Sequence, residues 1–196
     1  MGKSSPIGLF DSGVGGLTVA HALHTMLPSE QLIYFGDTVH LPYGDKSRET
    51  ILQYSLGIAD FLLEQKCKVI LIACNSASAN AFEEVKEHVG TKAVVMNVID
   101  PVVGQVCTDK PKTVGIIGTK ATIDSGTYER KIEETLADSG SGPGSGSGSG
   151  SGSSPKSRSG SKIQVSSMAT PLFVPMIEEG FVFDDISNAI IRSYLS

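Results

Sequence analysis

The chain has 196 residues, 40% of them hydrophobic, with 22 glycines and a formal net charge of −5. Eight of the glycines fall in residues 139–161, which otherwise hold eleven serines, two prolines, Lys156 and Arg158; outside this tract the hydrophobic share is about 45%, that of a globular chain. Disorder and collagen-like repeats are excluded as the main state. No Lys/Arg cluster outside the tract suggests a nucleic-acid partner, and no apolar run approaches the roughly 18 residues needed to cross a bilayer.

The elements alternate along the chain. Strands are expected at Ile7–Phe10, Leu32–Phe35, Lys68–Ala73, Ala93–Val98 and Val114–Ile117, each short and apolar at consecutive positions, as in parallel strands covered on both faces. Between them Leu17, Ala20, Leu23 and Leu27 repeat at helical steps, and so do Ile51, Ser55, Ile58 and Leu62. Shorter helical stretches are expected at Ala77–His88, Pro101–Cys107 and Thr127–Leu136. Regular Ser-Gly alternation makes 139–161 a flexible tether, more like an engineered insertion than natural sequence. Beyond it, Lys162–Val165 reads as a strand and Pro171–Glu179 as a helix, with Asp184 and Asp185 starting a last helix over Ile186–Leu195. The order βαβα predicts an α/β protein with parallel sheets and right-handed crossovers.

Cysteine usage and termini bound the setting. Cys67, Cys74 and Cys107 cannot all pair and lack metal-ligand spacing, so no metal is expected. A reducing cytoplasm fits them. Met1–Pro6 lead into the first strand without a signal-peptide apolar region.

In a parallel sheet, ligands bind beyond the carboxyl ends of the strands. Those ends read Asp11-Ser12-Gly13-Val14-Gly15-Gly16, then Gly36-Asp37-Thr38 with Leu41-Pro42-Tyr43-Gly44, then Cys74-Asn75-Ser76, then Gly118-Thr119 with Thr122. They would gather small hydroxyls, carboxylates, an amide and one thiol. The glycine loop mimics a dinucleotide fingerprint, with Asp37 as the ribose acid, but Thr18 stands where the third glycine belongs. A strand-to-helix turn whose free N–H groups hold a carboxylate is the better reading. Cys74, ending the most apolar strand just before a helix start, is a buried structural cysteine or a thiolate made available by the helix N-terminus. Cys67 and Cys107 read as structural. His24 and His88 read as surface or packing residues, and His40, beside Tyr43, as a candidate for the pocket wall.

Five blocks carry a family resemblance: Phe10–Thr18, Tyr34–Thr38 with Leu41–Gly44, Ala73–Ala77, Gly118–Thr122, and Pro171–Pro175 with Glu178-Glu179-Gly180. In this order they resemble glutamate racemases, within the aspartate/glutamate racemase superfamily. The resemblance implies two pseudo-symmetric parallel-sheet α/β domains with the active site between them, here 1–97 and 98–196, the second interrupted by the tether and incomplete. It implies cofactor-independent interconversion of L- and D-glutamate for peptidoglycan synthesis, a cytoplasmic setting and a homodimer. Inverting a stereocentre by proton transfer needs a base on each face of Cα, and thiol/thiolate pairs serve. Cys74 matches the first catalytic cysteine, Asp11 its assistant and Glu178 an acid supporting the second base. Ser12, Asp37, Pro42, Tyr43, Gly44, Asn75, Ser76, Thr119 and Thr122 match substrate-binding positions, Ser76 standing where the family usually has Thr. The family's second cysteine belongs to a Gly-Cys-Thr-His block downstream of a helix that ends here near Leu195, and that block is not among these residues. The expectation is therefore a C-terminally truncated racemase with little or no racemisation. The alternative is a non-catalytic glutamate- or partner-binding module of the same fold. A one-thiol decarboxylase or isomerase of the superfamily is the weaker third reading.

Overall fold

A computed structural model of the chain describes residues 5–139, 163–181 and 185–195. The tether, apart from Ser139, lies outside the described residues, as do Lys162 and Asp184.

Four strands, β1 (Ile7–Asp11), β2 (Leu32–Gly36), β3 (Val69–Ile72) and β4 (Val94–Asn97), form one parallel sheet in the order β2-β1-β3-β4. Every residue of β1 is buried, which is why its sequence is apolar at consecutive positions rather than alternating. Leu9, Phe10, Ile70 and Ile72 have no exposed surface and form the centre of the core.

The helix α2 (Arg48–Glu64) starts at Ser47, whose hydroxyl accepts from the Thr50 N–H at 3.3 Å. Its buried side chains are Ile51, Ser55, Ile58, Ala59 and Leu62, the repeat expected from the sequence. They pack against α3 (Asn75–Val89), which buries Ala77, Ala81, Val85 and Val89.

A second sheet pairs β5 (Thr113–Gly118) with β6 (Gln164–Ala169), again in parallel. Its own apolar cluster joins Ile99, Val103 and Cys107 of α4 (Ile99–Asp109), Ile132 of α6 (Thr127–Ser139), and Ile163. Three short or terminal helices complete the description: α5 (Lys120–Asp124), α7 (Phe173–Glu178) and α8 (Asp185–Leu195).

One expectation is corrected, one element was not foreseen, and one expected helix is less covered than its repeat suggests. The last strand spans Gln164–Ala169, later and longer than 162–165, because its register with β5 runs on to Gly118↔Ala169. The five-residue helix α5 was not foreseen; it follows from the Thr119 hydroxyl, which accepts the Thr122 N–H at 3.2 Å. The leucine repeat of α1 (Leu17–Met26) does form a helix, but none of its residues is buried. It lies mainly against β2, and on the same sheet Val94 and Met96 of the edge strand remain 60% and 49% exposed.

No described helix is long and apolar enough to cross a membrane.

Candidate functional site

Strand order sets the place of the site. From β1 the chain crosses first to β2 on one side and then to β3 on the other, so the carboxyl ends of β1 and β3 flank a topological switch point. Phe10 pairs with Ile72 there, and the Ala73 N–H donates to the Phe10 carbonyl at 2.8 Å. Asp11 and Cys74 thus emerge side by side, 63 positions apart in sequence. A cavity of about 330 Å³ opens above them.

Asp11 is 7% exposed, and its Oδ2 accepts the Gly16 N–H at 2.9 Å and the Gly13 N–H at 3.3 Å. The carboxylate therefore holds the glycine loop closed at the start of α1, where helix N–H groups favour negative charge. Gly16 is required by close approach: a Cβ would stand 2.7 Å from the Asp11 Cβ and 3.0 Å from the Tyr34 hydroxyl.

Cys74 precedes α3, and its thiol donates to the Ser12 Oγ at 3.6 Å. Burial, and then the Asp11 charge, push the thiol up to about 11 despite hydrogen bonds from Ala77 and Ser12 that favour the thiolate. Placement at a helix start does not by itself make this thiol acidic, contrary to the sequence argument.

The opposite wall is a set of hydroxyls. Ser76 Oγ lies 2.8 Å from Thr119 Oγ1 and 3.4 Å from Thr122 Oγ1, and the two threonines are 2.9 Å apart. Asn80 anchors this group, donating to the carbonyls of Ser76 and Ala121 at 2.9 Å each. Asn75 lines the cavity and accepts from the Tyr128 hydroxyl at 2.7 Å.

Pro42, Tyr43 and Gly44 form the third side, in a 3₁₀ turn at Tyr43–Asp45. Gly44 sits against Thr119 so closely that a Cβ would meet its side chain at 2.7 Å. Glu178 arrives from the end of α7; its Oε1 would lie 3.1 Å from a Cβ on Gly13.

The structure thus brings Asp11, Ser12, Pro42, Tyr43, Gly44, Cys74, Asn75, Ser76, Thr119 and Glu178 to one cavity. It does not place Asp37 or Thr122 on that cavity's wall. Asp37 is buried behind Tyr43, accepting its hydroxyl at 2.6 Å, because the turn after β2 folds the carboxylate inward. Thr122 lines a neighbouring cavity of about 470 Å³ and reaches this one through Ser76 and Thr119. His40 likewise lies behind the wall, on Asp37.

Sequence reasoning missed Tyr34. Its hydroxyl donates to the Gly13 carbonyl at 2.9 Å, and burial together with the charges of Asp11, Cys74 and Glu178 pushes the phenol up to about 12. A lone phenol in an apolar strand, paired with Leu9 just ahead of the glycine loop, was the available signal.

The charged side chains lining the cavity are Asp11 and Glu178, both acidic. Such a site attracts a cationic group, and leaves carboxylates of a ligand to hydroxyls and backbone N–H groups. Cys67 and Cys107 are buried elsewhere: Cys67 against β1, where its Sγ is 2.9 Å from a Cβ placed on Gly8, and Cys107 against the Ile132 carbonyl at 3.8 Å. Among the described residues no group of three or more His, Cys, Asp or Glu could hold a metal ion.

Comparison with known proteins gives a consistent result. Residues 17–145 match the family described as Asp/Glu/Hydantoin racemase. The chain is 38% identical over 190 residues to glutamate racemase of Aquifex pyrophilus, covering 96% of this chain and 64% of that protein. It is 35% identical over 195 residues to the Neisseria meningitidis enzyme, covering 63% of its length. The chain thus spans somewhat less than two thirds of these relatives. Among solved structures, glutamate racemase of Francisella tularensis in complex with D-glutamate superimposes with a TM-score of 0.80 at 40% identity, over 98% of this chain and 62% of that one.

Proposed function

Because the chain belongs to the Asp/Glu/Hydantoin racemase family, we propose that it carries one proton-transferring half of a cofactor-independent glutamate racemase. The observation that carries this reading is a buried thiol beside a carboxylate, at the switch point of a parallel sheet, facing a wall of hydroxyls. The ammonium of glutamate would lie toward Asp11 and Glu178. Its carboxylates would meet Ser12, Asn75, Ser76, Thr119 and the N–H groups of the Tyr43–Gly44 turn, with Thr122 and Asp37 holding those groups from behind. The ligand ammonium is the positive charge that lowers the Cys74 thiol toward ionisation, opposing the effect of Asp11. Cys74 as thiolate takes the Cα proton; the electron pair passes into the α-carboxylate; a proton delivered to the opposite face of Cα inverts the centre, and one returned by Cys74 restores it. Of the three thiols in these residues only Cys74 reaches the cavity. The 196 residues by themselves are therefore expected to exchange the α-proton without efficient inversion.

Incubation with each glutamate enantiomer in D₂O tests this. Enantiomer-selective α-deuteration, lost in Cys74→Ser, supports the reading. Absence of exchange with retained binding favours the second reading, a glutamate-binding module, which the single thiol makes specific. Absence of binding overturns both. A division into domains at 97/98, a cytoplasmic setting, a role in peptidoglycan supply and a homodimer belong to the same proposal.

A further inference from the structure

Behind the Pro42–Gly44 wall lies a relay of side chains that the proton chemistry above does not use. The Asp37 carboxylate is 8% exposed and is shared by two donors. The Tyr43 hydroxyl donates to Oδ2 at 2.6 Å, and His40 Nδ1 lies 2.8 Å from Oδ1 and 3.0 Å from Oδ2. A carboxylate only accepts, so Nδ1 carries the hydrogen. The imidazole in turn stacks on Tyr54 of α2, with centroids 4.1 Å apart and planes 22° from parallel. Tyr54 also leans on Tyr43 itself, at 5.8 Å. The Asp37 backbone is fixed separately, its N–H donating to the Asp11 carbonyl at 2.9 Å. The relay runs from α2 through His40 and Asp37 to the cavity wall.

We infer that His40 is a positioning residue: it orients the Asp37 carboxylate so that the Tyr43 hydroxyl is held inward, and thereby sets the place of the Tyr43–Gly44 backbone that faces the ligand. Tyr43 is 1% exposed, so its hydroxyl needs a buried acceptor, and Asp37 is the one provided. Without the Nδ1 donor the carboxylate is free to turn about its last torsion, a broad and soft one. The Tyr43 hydroxyl then loses its fixed acceptor. Gly44 sits against Thr119 with no room to spare, so a shift of the turn moves Thr119 and, through it, Ser76. The inference concerns ligand placement and rests on the racemase reading for the ligand's identity.

Two observables separate the ideas. The first is the ζ-carbon resonance of Tyr43 in ¹³C-tyrosine-labelled protein, assigned with Tyr43→Phe; it reports the hydroxyl's hydrogen bond with no ligand present. The second is glutamate affinity by calorimetry, with KM and kcat for α-proton exchange where turnover is seen. Three variants divide the contacts of His40. His40→Asn keeps a donor at the Nδ1 position, His40→Phe keeps the stack on Tyr54 without the donor, and His40→Ala keeps neither. The expectation is a displaced Tyr43 resonance and a 5–20-fold weaker Kd or higher KM in His40→Phe and His40→Ala, with kcat changed less than threefold. His40→Asn should restore the resonance and bring affinity within about threefold of the parent. An unmoved Tyr43 resonance in His40→Phe overturns the inference. So does a His40→Asn that behaves like His40→Phe. If the parent chain binds no glutamate, the racemase reading fails, while the Tyr43 resonance still decides whether His40 orients this wall.

Discussion

The reactivity of Cys74 follows from where the thiol sits. Burial and the Asp11 charge hold it up near 11, against an ordinary thiol near 8.5–9, so the thiolate fraction at pH 7 is about 10⁻⁴. That is roughly a hundredfold less than in an exposed thiol, a penalty on the thiolate of about 3 kcal/mol. Alkylation by iodoacetamide, followed peptide by peptide so that Cys67 and Cys107 are counted separately, should therefore rise about tenfold per pH unit from 7 to 10 at Cys74. Asp11→Asn removes the second cause of the shift while leaving an oxygen to accept from Gly13 and Gly16. Its profile should move to lower pH, and its rate at pH 7 should increase. The same shift has a stability counterpart. Between about pH 8.5 and 11 the unfolded chain loses its Cys74 proton while the native chain keeps it, so native stability falls as pH rises across that window, by up to about 3 kcal/mol in all. A native Cys74 profile that is half-maximal at or below pH 8.5, or an Asp11→Asn variant that reacts more slowly, would refute this account of the site's electrostatics.

Further outcomes follow from local contacts. Ser47→Ala removes the α2 cap and should lower stability by about 1 kcal/mol in urea denaturation; no change would mean that the cap is satisfied by water alone. Gly44→Ala places a methyl 2.7 Å from the Thr119 side chain and should cost about 1–3 kcal/mol together with ligand affinity, read by melting and calorimetry. Phe10→Ala opens a cavity at a side chain with no exposed surface and should cost about 3–5 kcal/mol. A loss below 1 kcal/mol would show that the core collapses around it. Tyr34→Phe deletes the bond to the Gly13 carbonyl and should loosen the loop, read as faster amide exchange at Gly13–Gly16 with a stability loss of about 1 kcal/mol.

Much of this was legible because parallel strands announce themselves. Ile7–Phe10 and, after Lys68, Val69–Ala73 carry no polar side chain, and the polar residues that follow them are the ones that line the cavity. The repeat of α2 is equally plain, since one face is buried and the other wet. Asp37 shows where reading stops: its type suits a ligand contact, but whether a turn folds a carboxylate outward or inward depends on Tyr43 and His40 finding it. The register of β6 could not be read either, because a strand of Ser and Gln such as Gln164–Ser167 is recognised by its partner β5 rather than by its own composition. For α1 the periodicity was correct, yet periodicity cannot say how much of a face its neighbours cover.

The helix that delivers Glu178 has a consequence for the timescale on which the cavity is complete. α7 is six residues long and buries no side chain, and Ile177 beside Glu178 is 66% exposed. Asp11 and Cys74, by contrast, stand at the ends of strands whose amides are paired on both sides. The cavity therefore joins a wall expected to open only with global unfolding to an acid on a segment expected to fray locally. Hydrogen exchange should separate the two by orders of magnitude in protection, with β1 and β3 slow and Phe173–Glu178 fast.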